Sequence, residues 1–361
     1  MHSFQLSSQG RTVWLDILRV CAAFAVVFIH VSTHYLENLI PFASFSWFGT
    51  DIELAFSRFA VPVFVMISGV FFLNPKRTLS FGTLYGKYIR RILTVLVGWA
   101  LLRTAVINIW LGQTPAAEWF KDLFISVAWY WFLPMIIGLY MISPLLRALT
   151  ELGERKLMVY FMVFCLFFAM FLPMAEDVEK ILFPGSFYVS TTIKLIKIPF
   201  WMFGAHFLFG YYASAYEISP RAKKWIYALA AVSLLLLAAG TYGFFDERAG
   251  RLYYYGMHGA SVTPFTFFMG AGVFLFGKDV LGKISFSPRV RDWTQRLARY
   301  SLGVYMLHLI LVEAAIHFSL FDKINGGYML TVPLLAMTVF ALSNLIIALI
   351  YKLSFFRKHF L

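Results

Sequence analysis

The sequence predicts an all-α, polytopic membrane helix bundle of about ten transmembrane helices with both termini in the cytoplasm. Three observations carry the prediction. Hydrophobic residues make up 60% of the 361-residue chain and charged ones 14%, against roughly 45–50% and about 25% in soluble domains. A single soluble core would not bury that much apolar surface, since ordinary cores stop growing near ~250–300 residues. Second, the apolar residues form long, unalternating runs of the ~20 residues that a spanning helix requires. A membrane β-barrel would show ~10-residue alternating segments instead. Third, the basic residues gather on every other loop. Disordered, collagen-like, coiled-coil and disulfide-scaffold classes are excluded by the same composition.

The runs lie at about 13–35, 52–73, 92–111, 122–146, 157–173, 195–216, 225–245, 262–277, 300–320 and 328–351. The first follows a segment with one basic residue, Arg11, and is interrupted by Asp16 and Arg19. A signal peptide wants a clean apolar core there, so the run reads as a retained first helix. The second closes on Ser68-Gly69, a small polar break that lets a backbone or a ligand approach closely. Ahead of the third stands Lys87-Tyr-Ile-Arg90-Arg91. The fourth holds Trp129-Tyr-Trp-Phe-Leu-Pro134, which reads as a kinked helix lining a cavity. The ninth contains Tyr300-Ser-Leu-Gly-Val-Tyr-Met-Leu-His308. Between the runs, the outer loops near 174–194 and 245–261 are rich in Tyr, Phe, Gly and Ser, suiting an interfacial aromatic belt or a sugar-stacking surface. The two halves show no internal sequence repeat, which disfavours inverted-repeat transporters.

An even number of spans puts both ends on one side, and the charge chooses which. Of the 31 Lys and Arg residues, 21 fall on the terminal segments and the loops that share their side, including Lys76–Arg91, Arg147–Lys156 and Lys278–Arg299. Only six, Lys121, Lys180, Lys194, Arg248, Arg251 and Lys323, lie on the alternate loops. That bias orients the termini inward. It also accounts for the net charge of +13 without a nucleic-acid partner. Cys21 and Cys165 both sit in apolar runs and read as buried free thiols.

Ionisable groups inside a span are expensive and are functional candidates by default. In the first span Asp16 and Arg19 are three residues apart, so they share a face and pair. Eleven residues separate Arg19 from His30. That is almost three full turns, placing both on one face ~16 Å apart along the axis. Arg19 is thus near the cytoplasmic end and His30 near or beyond mid-membrane. An interfacial Asp–Arg anchor with a hydrogen-bonded structural histidine would give the same pattern. His34 lies one turn beyond His30, but no third ligand has matching spacing, so no metal site is read. In the second span Glu53 and Arg58 enter from outside, with Arg58 at a depth comparable with His30. Arg58 pairs with Glu53 in this reading, or binds an acceptor sugar. Ser301, Tyr305 and His308 share one face of the ninth helix. The Lys87, Arg90, Arg91 cluster is either ordinary inward charge or a phosphate clamp.

Four motifs in order then resemble one family. Trp14-Leu-Asp-Ile-Leu-Arg19 with His30, Ser57-Arg-Phe-Ala-Val-Pro-Val-Phe-Val-Met-Ile-Ser-Gly69, Trp131-Phe-Leu with Ser143-Pro-Leu-Leu, and Ser301-Leu-Gly-Val-Tyr-Met-Leu-His308 are similar to the membrane acyltransferase-3 family. They are nearest its compact branch containing the enterobacterial common antigen O-acetyltransferase. The resemblance spans nearly the whole chain as one acyltransferase domain of a bacterial inner-membrane protein. It implies an acyl-CoA, expected to be acetyl-CoA, used from the cytoplasm as co-substrate without a permanently bound cofactor. It implies a hydroxyl of a surface polysaccharide or its lipid-linked precursor as acceptor. His30, Arg19 and Asp16 become the catalytic candidates. Lys87, Arg90, Arg91, Ser68 and Gly69 become the acyl-CoA candidates, and Glu53, Arg58, Trp131 and His308 the acceptor candidates. The sequence departs from the family pattern at Val70, where an aromatic is usual and Phe71 follows, and at Lys87, which replaces an arginine. His30 as general base and His30 as transient acyl carrier both fit. A transporter or flippase of a lipid-linked glycan is the alternative class, and a homo-oligomer is left open.

Overall fold

The computed structural model describes residues 13–111, 116–175, 203–243, 245–246, 251–252, 263–323 and 326–354. Nine helices among them are long and apolar enough to cross a membrane. Of the predicted span at 195–216, the described part is the helix Gly204–Ala215. Most of the outer loops predicted at 174–194 and 245–261 falls outside the described residues. One short antiparallel ladder, Phe245–Asp246 with Arg251–Leu252, is the only strand pairing among the described residues.

We number the helices α1 (Val13–Asn38), α2 (Phe45–Ser57), α3 (Ala60–Phe72), α4 (Arg90–Leu111), α5 (Ala116–Trp129), α6 (Phe132–Leu152), α7 (Arg155–Leu166), α8 (Gly204–Ala215), α9 (Pro220–Gly243), α10 (Pro264–Asp279), α11 (Pro288–His317) and α12 (Tyr328–Ile350). Sequence signals mark several starts. Ser44, Thr263 and Ser287 cap α2, α10 and α11 through their side chains, and Pro264 and Pro288 occupy first-turn positions where a missing N–H is no loss. The segment Leu84–Ile89 leading into α4 is π-helical.

Two predicted spans are broken helices, and each turn lies three to four residues ahead of a proline, Pro62 and Pro134, whereas Pro144 and Pro333 lie within continuous helices. A proline at position i leaves the carbonyl of i−4 without its helical donor and clashes with it. Pro62 does this to Arg58, and Pro134 does it to Tyr130. The chain turns at those residues and restarts as α3 and α6, with each proline harmlessly in the new first turn. At the second break the Leu133 N–H donates to the Tyr130 carbonyl at 2.9 Å, so that oxygen is satisfied. The fourth span, expected as one kinked helix over 122–146, is therefore α5 and α6 in series.

Helix α1 is the hub and packs against α2, α3, α10, α11 and α12. The closest backbone approach is between α3 and α8. A Cβ on Gly69 would overlap the Phe207 carbonyl, and one on Gly210 would overlap the Met66 carbonyl. Only glycine permits that reciprocal contact, which resembles the small-residue crossings of membrane helices. Gly69→Ala is expected to cost ~1–3 kcal/mol as an overpacked site, read as a lower apparent Tm in detergent. Gly138, a helical glycine with open space around it, is the control: Gly138→Ala should leave Tm unchanged or raise it.

Basic residues assigned to the inner loops also close helix C-termini, where unsatisfied carbonyls carry partial negative charge. Arg147 donates to the carbonyls of Phe72 (3.3 Å) and Arg77 (2.6 Å), and Thr150 donates to Leu73 (2.8 Å), at the end of α3. Lys278 donates to Ala213 (2.8 Å) and Tyr216 (3.3 Å) at the end of α8. Cys165 is buried as expected, whereas Cys21 is exposed among the described residues.

Candidate active site

Two features lie along the α1 face that carries Arg19 and His30. At the Arg19 end is a cleft of about 310 Å³ lined by Arg19, Ser68, Phe71, Phe72, Arg77, Thr78, Leu79, Tyr88, Tyr140 and Arg147. Arg19 is held by Asp16 at 2.9 Å, with the carboxylate buried and the guanidinium part-exposed. The Phe71 ring lies between two cations, with Arg77 at 4.9 Å and Arg19 at 6.0 Å from its centroid. Phe72 and Tyr140 stack at 3.7 Å, and Tyr88 meets Phe72 edge-on. Arginines interleaved with aromatic rings suit a phosphate-bearing ligand with a flat base, since a guanidinium pairs with phosphate while the rings stack.

The second feature is a pair of histidines further along α1. His30 on α1 and His308 on α11 have ring centroids 5.1 Å apart. His308 is fully buried, and its Nδ1 lies 3.1 Å from the Val304 carbonyl one turn earlier. Trp129 approaches His30 at 6.3 Å from α5, and Tyr305 approaches His308 at 5.7 Å. Arg58, buried at the α2–α3 break, is close enough for its charge to act on His30. The two proline breaks thus deliver Arg58 and Trp129 to the same depth as the histidines.

Behind Trp129 a polar cluster crosses from α4 to α5 and α11. The Arg103 Nε donates to both carboxylate oxygens of Glu313 (3.2 and 3.1 Å), and Nη2 pairs with the same carboxylate. Nη1 donates to Ser126 at 2.9 Å. Ser126 also shares a hydrogen bond with Thr104 at 2.9 Å, and Asn108 donates to Asp122 at 3.0 Å. The guanidinium carbon sits 5.5 Å from the Trp129 ring centre, within cation–π range. One buried ion pair therefore ties three helices together and backs the ring that flanks His30.

The candidate residues distribute as follows. Asp16, Arg19 and Ser68 line or support the inner cleft. Gly69 meets the Phe207 backbone instead, and Val70 is buried while Phe71 lines the cleft, so the aromatic of the motif is displaced by one position. Lys87 lies over the Tyr88 ring at 5.7 Å and Arg91 acts on Tyr140, placing both beside the cleft. Arg90 is exposed at the start of α4. The charge facing Arg58 is Asp51, 1% exposed, while one Glu53 carboxylate oxygen is buried without a partner among the described residues. Trp131 stacks on Phe203 at 6.1 Å, because the break at Tyr130 turns it away from the side that Trp129 faces. Asp51, Arg77, Arg103 and Trp129 join the site from the structure. Arg103 carried the same signal as His30, an ionisable group inside a span. The partnership with Glu313, 210 residues on, left no local trace.

The model of the acyltransferase-3 family, described as an acyltransferase domain, matches residues 12–352. No curated protein and no solved structure matches the chain.

Proposed function

From the premise that the chain belongs to the acyltransferase-3 family and is a membrane acyltransferase, we propose that it is an O-acyltransferase of the bacterial cytoplasmic membrane. The donor is cytoplasmic acyl-CoA, with acetyl-CoA the expected species. The acceptor is a hydroxyl of a surface polysaccharide or its lipid-linked precursor. One observation carries the reading: a cationic, aromatic cleft at the inner end of α1 and the His30–His308 pair ~16 Å further along the same face. That separation suits a nucleotide held at one end while its extended pantetheine arm presents a thioester at the other. His30 then acts as general base on the acceptor hydroxyl, a role worth roughly 10²–10⁴-fold. Arg58 and Trp129 flank the reacting atoms and orient the acceptor.

The reading is tested by giving the purified protein radiolabelled acetyl-CoA together with membranes from cells lacking it, and by mass spectrometry of the surface glycans. Label in the glycan and a mass increment of one acetyl group support it. Glycan translocation without any acyl transfer would favour the flippase alternative and overturn it.

The inner cleft makes its own prediction. A charge-assisted contact is worth ~1.5–3 kcal/mol, so Arg19→Gln and Arg77→Gln should each raise KM for acetyl-CoA by tenfold or more. Arg90→Gln should change it less than threefold. Steady-state kinetics at fixed ionic strength checks the ranking. A larger effect at Arg90 would move the clamp out of the cleft and onto the exposed start of α4.

A further inference from the structure

His308 carries an arrangement that packing alone does not explain. A carbonyl oxygen only accepts, so the contact with Val304 requires a hydrogen on Nδ1. In the neutral ring Nε2 is then the lone-pair nitrogen. That nitrogen is buried and has no hydrogen-bond partner among the described residues. The His30 and Tyr305 ring centroids lie 5.1 and 5.7 Å from that of His308, and α1 and α11 pack directly so that the two histidines share one depth. His30 is part-exposed while His308 is sealed, so His30 meets the substrate and His308 stands behind it.

We propose that His308 is a positioning residue that relays the proton of the reaction through His30. The inference rests on the acyltransferase reading above. As the acceptor O–H bond breaks, its proton bonds to the free nitrogen of His30, and the opposite N–H proton of His30 passes to Nε2 of His308. The alkoxide oxygen bonds to the thioester carbonyl carbon, the C–S bond breaks, and the electron pair leaves on the CoA thiolate. The proton then returns through His30 to the thiolate, so hydroxyl plus thioester become ester plus thiol with nothing left over. The relay keeps positive charge from resting on His30, where the Arg58 guanidinium faces it. The charge rests instead on a ring anchored to the Val304 carbonyl, whose dipole favours a cation. A mere hydrogen-bonding histidine would not need a free Nε2.

The first measurement uses the unaltered protein: kcat for labelled acetyl transfer in mixtures of H₂O and D₂O. Two protons in flight give a curved proton inventory, whereas a straight line overturns the relay. The second uses His308→Ala, with His308→Gln as a variant that keeps a side-chain hydrogen-bond acceptor but takes up no proton. Both should lower kcat by at least a hundredfold with KM for acetyl-CoA changed less than threefold. Added imidazole should restore His308→Ala, and pyrrole, which has the same ring shape but no basic nitrogen, should not. Equal rescue by both, or His308→Gln keeping more than a third of kcat, overturns the proposal. An unaltered protein that transfers no acetyl group refutes the acyltransferase reading itself. Activity lost in His30→Ala but kept in the His308 variants refutes the relay alone.

Discussion

His30→Ala is expected to lower labelled acetyl transfer by 10²–10⁴-fold, the contribution of a positioned general base, while the protein remains folded. The ring is part-exposed and lies against the Trp129 and His308 side chains. Its loss should therefore cost little stability. The measurement is kcat alongside apparent Tm: a fall in rate without a fall in Tm locates the loss in chemistry. A variant that retains more than a tenth of wild-type kcat would remove His30 from the proposed mechanism. Arg19→Gln should differ in kind, since Arg19 belongs to the inner cleft and its loss should weaken acyl-CoA binding before it slows transfer.

The largest stability effect is expected at Arg103. Its guanidinium is 4% exposed and satisfies Glu313 and Ser126 together. Arg103→Met would leave the Glu313 carboxylate in the bundle without its counter-charge, and breaking one side of a buried pair costs about 3–5 kcal/mol. Glu313 retains some exposure (24%), which places the expected loss near ~3 kcal/mol. Arg103→Met combined with Glu313→Leu should recover most of it, because a matched apolar pair strands no charge. Thermal unfolding in detergent of the two single variants and the double variant gives the coupling directly. Additive losses would show that the pair contributes nothing as a pair. Trp129 should report on the same event through its fluorescence, since the guanidinium lies against its ring.

Much of the architecture was legible because it depends on local chemistry. Composition and run length mark spans, and Pro134 marks a kink in the fourth, whereas the break before Pro62 and the helix starts capped by Ser44, Thr263 and Ser287 came from the structure. The site was half legible. Arg19 and His30 could be placed on one face because helical geometry is known within a single element. Trp131 and Glu53 show where such reading stops. Trp129 and Asp51, two residues away in each case, are the groups that face His30 and Arg58. A two-residue offset turns a helical side chain through most of half a circle, so which of the two faces a given partner is set by the helix's rotation and its breaks, which the sequence pattern does not give.

The sequence by itself determined that the chain is a helical membrane bundle and that an arginine and a histidine share the face of its first helix. Those properties follow from apolar run length and a fixed rise per residue, both local to one segment. Only the tertiary structure decided that His30 meets His308, that Arg103 meets Glu313, and that Gly69 packs on backbone while Ser68 and Phe71 line the cleft. These depend on which helices touch and at what rotation, and that is set by side-chain fit across the whole bundle rather than by any pattern within a single helix.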